Sequence, residues 1–476
     1  MSPRLMTTSS RMNPAMRIRI LAALLLLAAA ACSNPLDVQP TTSIPDATAI
    51  SDGPSAQAAL IGAYNGLQSL SLYGEELVEL GDLSADNAEN SGTYTSYAEV
   101  DGNQLHANNS AVADIWLASY DDINRANEII TRVPTITTID PDQATEILGE
   151  AYFLRALNYS NLVKLYGGVP IVTQPATNLA DASAVTRASV SDVYGQILKD
   201  LDSAAAGISN TDETTQATVG AVAALRARVL LYTGDWAGAE AAAAEVESMG
   251  YDLAPRYQDL YSASGNATSE DIFRIIQTEI QESFLSYDYF TRGLGGVYEL
   301  RPTKDLMHAY DPSFDPDGDI SSYNPTDLRG QWNISISGSR VYGSKYRSIV
   351  GTEYFPVLRF AEVILTRAEA LARLGQLSDA VDEYNRVRER AGLPDDVLGV
   401  TVIGPGATVL STQDQVIARI LNERRLELAF EGDRWPDLVR TGLATTVMGI
   451  SAQATLYPIP QREVDVAPGV TQNPGY

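Results

Sequence analysis

The densest group of ionisable side chains lies between Asn422 and Trp435, where acidic and basic residues alternate. The group comprises Glu423, Arg424, Arg425, Glu427, Glu431 and Arg434. Spacings of three and four place opposite charges side by side on one helix. Glu427 and Glu431 could form the acid/base pair of an enzyme, but neighbouring arginines lower carboxyl pKa values and disfavour a general acid. We therefore expect these charges to hold helices together, and we predict no catalytic residue.

A second acidic group, Asp311–Asp319, places four carboxylates within nine residues. Calcium binds such oxygen ligands, but the glycine and the terminal glutamate of an EF-hand loop are absent at the required spacing. We expect a solvated acidic loop and no metal site, with carboxylate-bound calcium as the alternative.

The small numbers of cysteine and histidine residues and the negative net charge exclude several classes of function. The chain has one cysteine, Cys32, and two histidines, His106 and His308. It therefore cannot form a Cys-rich or Cys/His zinc cluster or an intramolecular disulfide, and we predict no cofactor. The formal charge of −27, from 33 basic and 60 acidic residues, repels nucleic-acid phosphates and anionic lipid headgroups. A nucleic-acid-binding protein is excluded.

The N-terminus has the pattern of an export signal. A short basic stretch after Met16 precedes an apolar run of about a dozen residues, too short to span a membrane. Ala29–Cys32 is similar to a bacterial lipobox, with alanine in place of the usual first leucine. We predict a lipoprotein signal at 1–31, lipidation of Cys32 and a tether at 32–46. The alternative is an ordinary cleaved signal.

Beyond the tether, helical periodicity dominates the sequence. Leu60, Tyr64 and Leu67 fall on one helical face, and a second helix is expected from Val112 to Val133. Residues 143–166 are apolar on more than one face, as in a buried helix. Trp116 and Trp236 fall within helical patterns, and we assign both side chains to packing.

Two segments share the signature of a tetratricopeptide-like helix pair. Small residues lie seven positions before and five after a glycine: Ala227, Gly234 and Ala239 in the first, and Ala368, Gly375 and Ala380 in the second. Alanine at these places lets two helices approach closely. The two units begin 141 residues apart, so they do not form a continuous solenoid along the chain. The sequence predicts a mainly α fold.

Long inserts interrupt these helices. The stretch 256–350 is rich in Gly, Asp, Ser, Pro and Tyr, and 82–110 shares this character. Asp271–Ile276 and Asn333–Ser337 are predicted to be short strands. Irregular inserts on a rigid scaffold are where binding surfaces usually reside.

Motifs in both halves of the chain carry a family resemblance. The C-terminal motifs are Tyr354–Ala370, Asn385–Pro394, Asn422–Trp435, Asp437–Gly442, Leu456–Pro460 and Thr471–Tyr476. The N-terminal ones are Leu36–Pro40, Asp82–Asn87, Trp116–Asn127 and Ala151–Ala156. Together they resemble the SusD/RagB family of outer-membrane nutrient-binding lipoproteins across essentially all of 33–476. Pro436 departs from the family, which usually has an aromatic residue there; proline suits a first helical turn, so only local change is expected.

The resemblance implies a SusD-like α-α superhelix with tetratricopeptide-like units, divided into an N-terminal region at 47–255 and a C-terminal region at 256–476. It also implies a lipid-anchored surface protein of the outer membrane that passes an oligosaccharide to a SusC-like TonB-dependent transporter. Family members are generally not enzymes. A peptide ligand, a surface glycoside hydrolase and a pure assembly scaffold are the alternatives.

The inserts supply aromatic faces for sugar rings, together with amides and carboxylates for sugar hydroxyls. The family's aromatic positions vary, so this selection depends on residue type and location alone. The predicted ligand contacts are Tyr94, Tyr97, Asp101, Asn103, Tyr287, Asp288, Tyr289, Phe290, Trp332 and Asn333.

Overall fold

Helices form the scaffold of the molecule. The computed structural model describes residues 49–175, 183–261, 266–399 and 408–476. The predictions for the signal 1–31, for Cys32 and for the tether 32–46 lie outside these residues. The helices of the N-terminal half are α1 Gly53–Leu67, α2 Glu76–Leu83, α3 Thr95–Asp101, α4 Ser110–Arg132, α5 Pro141–Tyr166, α6 Val190–Gly207, α7 Val219–Thr233 and α8 Trp236–Ser248.

The C-terminal half combines helices with short strands. Its helices are α9 Lys304–Tyr310, α10 Leu328–Asn333, α11 Phe360–Arg373, α12 Leu377–Arg390, α13 Gln413–Glu427, α14 Arg434–Arg440, α15 Ala444–Val447 and α16 Gln461–Val466. The mainly α fold is confirmed. Residues Ser51–Tyr476 form one compact unit, and the division near residue 256 stays a prediction. Among the described residues, no helix is both long and apolar enough to cross a lipid bilayer.

The sequence of helix α5 explains where this helix begins and ends and why it is buried. Asp140 caps its first turn, Pro141 occupies the first position, and Gly167 ends it at φ +73°. Side chains on all its faces are buried between Phe153 and Tyr166, as the sequence predicted. Its one buried guanidinium, Arg155, pairs with an equally buried carboxylate on α6.

The two predicted helix pairs are α7–α8 and α11–α12. Each turns at a glycine with positive φ, +76° at Gly234 and +81° at Gly375. The alanines before and after these glycines are buried. Helix α8 packs on α11, and Leu231, Ala239 and Ala370 form one apolar cluster. The pairs are therefore neighbours in space although they are far apart in the chain, because the long insert leaves the helical stack and returns to it.

Both tryptophans assigned to packing do pack. Trp116 is buried against the rings of Tyr120 and Tyr166. Trp236 lies partly buried beside the apolar cluster between the two helix pairs.

Short strands fasten the insert to the scaffold. They are β1 Ala88–Asn90, β2 Asp271–Ile276, β3 Leu300–Pro302, β4 Ile334–Ser337, β5 Arg340–Gly343, β6 Tyr354–Arg359, β7 Val397–Leu398 and β8 Val409–Leu410. Antiparallel pairs join β1 to β3, β2 to β6 and β4 to β5, while β7 and β8 pair in parallel. The two predicted strands are confirmed as β2 and β4. The insert also holds the short helices α9 and α10, which the sequence analysis did not predict.

A buried network of charged side chains lies where the insert meets the C-terminal helices. Arg359 donates to Glu270 at 2.8 Å, to Glu427 at 2.6 Å and to Glu431 at 2.8 Å. Arg329 and Arg390 also pair with Glu427. These arginines hold the pKa of the Glu427 carboxyl below its usual range although burial opposes that shift. The carboxyl is inaccessible to a substrate, and the prediction that these charges hold helices together is confirmed.

The same motif also binds the N-terminal half. Arg434 donates to both carboxylate oxygens of Asp86, at 2.6 and 2.9 Å, and Arg425 pairs with the same carboxylate. Asp82 accepts the backbone N–H groups of Phe430 and Gly432. Side chains from residues 82–86 and 425–434 thus fix the two halves together.

Replacing Glu427 by glutamine leaves three buried guanidinium groups with less compensating charge. Because removing one partner of a buried ion pair costs about 3–5 kcal/mol, we expect Glu427→Gln to lower the free energy of unfolding in urea by roughly that amount. The control is Glu389→Gln, an exposed carboxyl on α12, which should change it by less than about 0.5 kcal/mol. Equal stabilities of the two variants would contradict this account of the network.

Candidate ligand-binding site

The predicted contact residues fall on three segments, 89–103, 279–298 and 328–354, whose surface we call the loop face. A hydrogen bond joins the first two segments, since the Ser91 hydroxyl donates to Tyr298 O at 2.9 Å. The second and third meet where Ser283 N–H donates to Gly351 O at 2.9 Å. The structure therefore brings together residue groups that lie about 200 positions apart in the chain.

Six of the ten predicted residues are accessible on this face. Tyr94 is 43% exposed. Tyr287, Phe290 and Trp332 are half-buried, and so are the polar pair Asp101 and Asn103.

The other four lie beneath the surface. Tyr97, Asp288, Tyr289 and Asn333 are each at most 4% exposed. Asn333 donates to two tyrosine hydroxyls of the core, and Tyr289 packs on the ring of Phe430. Burial raises the pKa of Asp288 to about 8, with nearby carboxyls adding to the shift. These side chains are inaccessible to a ligand, so the contact set proposed below leaves them out.

A cavity of about 560 Å³ opens beside Trp332. Its lining residues are Leu260, Tyr261, Trp332, Tyr346, Arg347, Ser348, Val350, Thr352, Glu353 and Tyr354. Trp332 is held by its indole N–H, which donates to Lys345 O at 3.2 Å, and the Arg347 guanidinium lies 3.3 Å over its ring. The cavity therefore presents aromatic surface beside a positive charge.

Two polar groups of the cavity wall have no hydrogen-bond partner in the described structure: the buried Tyr346 hydroxyl and the Oε2 oxygen of Glu353. The Glu353 Oε1 oxygen accepts the N–H of Ser348, and burial raises the pKa of this carboxyl to about 8. Aromatic faces beside a guanidinium in one concavity suit a ligand with apolar C–H faces and hydroxyl groups.

Sequence reasoning missed most of this cavity. Tyr346, Arg347, Glu353 and Tyr354 were not selected, although 340–354 is a Gly-, Ser- and Tyr-rich part of the insert. That composition was the feature of the sequence that could have indicated a binding surface there. Tyr354 begins strand β6 and a family motif, and neither feature indicates ligand contact.

A second concavity of about 560 Å³ lies outside the loop face, between α4 and the loop after α5. Its lining combines the aromatic side chains of Trp116 and Tyr120 with polar side chains that include Asp121 and Asn124. Its described lining includes no arginine or lysine, whereas the cavity beside Trp332 is lined by the Arg347 side chain.

The acidic segment Asp311–Asp319 uses its carboxylates to form turns. Asp311 is buried and accepts from Ser313 N–H at 3.0 Å, while Asp319 accepts from Ser321 N–H at 3.0 Å. The other aspartates of the segment are exposed. A solvated loop is confirmed for these residues but not for Asp311.

Comparison with known proteins agrees with these observations. One family model, described as the SusD family, matches residues 335–455, and another, described as starch-binding and associating with the outer membrane, matches residues 36–231. Two SusD-like proteins of Formosa agariphila are 26% and 28% identical to the chain. The alignments cover 94% and 89% of this chain and 96% and 90% of those proteins. The chain belongs to the SusD/RagB family.

Solved SusD-like structures share the fold. A SusD superfamily protein of Bacteroides vulgatus matches with a TM-score of 0.77 at 20% identity, over 89% of this chain and 99% of that one. A laminarin-binding SusD-like protein matches with a TM-score of 0.73 at 24% identity, over 90% and 100%. The predicted SusD-like helical fold is confirmed. Pro436, the departure from the SusD/RagB pattern, lies in the first turn of α14 as expected.

The raised pKa of Glu353 gives a pH prediction. Protonation of this carboxyl contributes stability that is complete below the unfolded pKa of about 4.3 and is lost as the pH rises through about 8. We expect Glu353→Gln to gain stability relative to wild type across that window, by at most about 1.4 kcal/mol per pH unit, and to gain no more above it.

Urea titrations at a series of pH values measure this difference. The control is Glu279→Gln, an exposed carboxyl on the same face, for which the difference from wild type should not depend on pH. A flat profile for Glu353→Gln would show that the carboxyl is ionised in the folded protein.

Proposed function

We propose that this protein binds an oligosaccharide on the loop face, in and around the cavity beside Trp332, without cleaving it. The observation that carries the proposal is the lining of that cavity, where Trp332 and Tyr354 lie beside Arg347 and Glu353. The family supports the same ligand class. A relative named starch-binding protein SusD, from Bacteroides thetaiotaomicron, is 31% identical over 134 residues, covering 25% of this chain and 21% of that protein.

The mechanism of capture follows from the chemistry of sugars. The C–H face of a sugar ring packs on an aromatic face, and its hydroxyl groups hydrogen-bond to the guanidinium of Arg347. Tyr94, Tyr287 and Phe290 extend the aromatic surface beyond the cavity, so a chain of several sugar units could be held along the face.

Binding without hydrolysis is favoured by the distribution of carboxyls. Glycoside hydrolysis usually needs two carboxyl groups flanking the scissile bond, about 5–10 Å apart. Among the described residues that line the cavity, Glu353 is the single carboxyl. Glu427 and Glu431, the pair suggested by the sequence, are buried in ion pairs. A peptide ligand is the alternative, because the same polar groups could bind peptide amides.

Delivery is the second part of the proposal. We propose that lipidated Cys32 anchors the protein to the outer membrane and that a SusC-like TonB-dependent transporter receives the ligand. The tether 32–46, rich in proline and hydroxyl residues, would let the loop face close over the transporter mouth.

Native affinity electrophoresis against neutral, acidic and amino-sugar glycans tests the binding function. Retardation by one glycan class without product release is expected, because the cavity offers contacts but no pair of carboxyls. Release of shortened sugars would favour a hydrolase instead. Retardation by none would shift the proposal to peptides.

Substitution of the exposed aromatic residues tests the loop face. We expect Tyr94→Ala, Tyr287→Ala and Trp332→Ala to weaken capture of the retarding glycan by about 1–3 kcal/mol wherever a stacking contact is lost. The control is Tyr476→Ala, which removes a 37% exposed tyrosine outside this face and should leave affinity unchanged. Wild-type affinity in all three face variants would refute this location, though not the binding function.

The anchor gives a separate prediction. Because several acyl chains on one residue hold a protein stably in a bilayer, we expect Cys32→Ala to move the protein from the membrane fraction to the soluble fraction on cell fractionation. Ser33→Ala is the control and should stay in the membrane fraction. A Cys32→Ala protein that remains membrane-bound would contradict lipidation.

A further inference from the structure

Three carboxylates converge beneath the loop face. One ligand oxygen each from Glu75, Glu79 and Asp288 lies within 4.8 Å of the others. Asp288 is fully buried and Glu79 is 1% exposed. No N–H or hydroxyl group in the described structure donates to either carboxylate oxygen of Asp288 or to the Oε1 oxygen of Glu79, and the polar groups that face them are the other carboxyls of the cluster. Buried polar atoms rarely lack partners, so this arrangement calls for a missing one.

The surroundings of this cluster differ from those of the other buried carboxylates. In the charge network around Glu427, each carboxylate pairs with arginine or lysine. The groups that act most strongly on Glu75, Glu79 and Asp288 are instead one another, the carboxyl of Glu299 and the hydroxyl of Tyr97. Carboxylates buried without a positive charge either cost much free energy or stay protonated, and a bound cation would remove that cost.

The local backbone structure places the carboxyl groups of Glu75, Glu79 and Asp288 close together. Glu75 is the residue that precedes α2, and Glu79 lies in the first turn of that helix. The Tyr97 hydroxyl lies 2.9 Å from a Glu79 oxygen and 3.2 Å from a Glu75 oxygen, so its one proton is shared between the two carboxylates. Asp288 arrives from the loop face, between Tyr287 and Tyr289.

We propose that Glu75, Glu79 and Asp288 bind one Ca²⁺ ion that ties α2 to the loop face. The ligands are all oxygen atoms, which hard divalent cations prefer. Calcium–oxygen bonds are about 2.3–2.6 Å long, so two oxygens on one ion lie at most about 5.2 Å apart. The observed 4.8 Å satisfies this limit.

Calcium fits this site better than magnesium does. Magnesium demands near-ideal octahedral geometry and keeps several water molecules, whereas calcium accepts irregular carboxylate cages and loses water more readily. Three carboxylates can supply up to six oxygen ligands when each binds through both oxygens. The ion would order the loop that carries Tyr287 and Phe290, so it would support the aromatic surface above it.

Calcium titration of the purified, chelator-treated protein tests the site. Isothermal titration calorimetry should give one Ca²⁺ per chain and a weaker affinity for Mg²⁺. Terbium, a calcium substitute, should luminesce through energy transfer from Tyr97. Asp288→Asn and Glu79→Gln should each weaken Ca²⁺ binding at least tenfold and abolish the rise in thermal midpoint that Ca²⁺ gives the wild type.

The matched control is Asp317→Asn, which removes an exposed carboxyl from the acidic segment Asp311–Asp319 and should retain wild-type affinity. Circular dichroism in chelator should show that both cluster variants fold, since a neutral amide relieves repulsion between the carboxylates. The proposal is overturned if the wild type takes up no Ca²⁺, if both cluster variants keep full affinity, or if Asp317→Asn alone loses it. None of these results depends on whether a glycan binds.

Discussion

The buried pairing of arginines with Glu427 and Glu431 is the interaction on which the rest of the structure depends. Arg359 links both carboxylates to strand β6, Arg390 links Glu427 to α12, and Arg329 links it to α10. Charges taken out of water are stable only when their partners are well placed, so this network requires all of its elements at once. It therefore fixes the positions of segments that share no regular secondary structure.

The same network also holds the segments that line the ligand site in fixed positions. Arg329 lies on the same short helix as Trp332, and the ammonium of Lys345, next to Tyr346 and Arg347, pairs with Glu431. Two walls of the cavity are thus bonded to the same buried carboxylates. An irregular loop held in this way loses little freedom when a ligand binds, and preorganisation of that kind preserves affinity. The helical stack forms the rigid support, and the inserts carry the side chains proposed to contact the ligand.

Sequence reasoning succeeded where a period or a spacing has one structural meaning. The alternation of charges around Glu427 indicated ion pairs, and small residues at equal offsets from Gly234 and Gly375 indicated helix pairs. Sequence reasoning could not show that the two helix pairs pack on each other, because the long insert separates them in the chain. It also could not give the depth of a side chain in an irregular loop: neighbouring residues such as Trp332 and Asn333 lie at the cavity wall and in the core, respectively. The meeting of Glu79 with Asp288 is a long-range contact with no local signature.

The central claim is that a glycan binds in the cavity whose walls the buried network holds in place. A crystal structure of the protein with the glycan that it retains tests this claim most directly. The expected structure has sugar rings in van der Waals contact with Trp332 or Tyr354, with hydroxyls bonded to Arg347. Sugar bound instead in the second concavity, beside Trp116 and Pro170, would contradict this location.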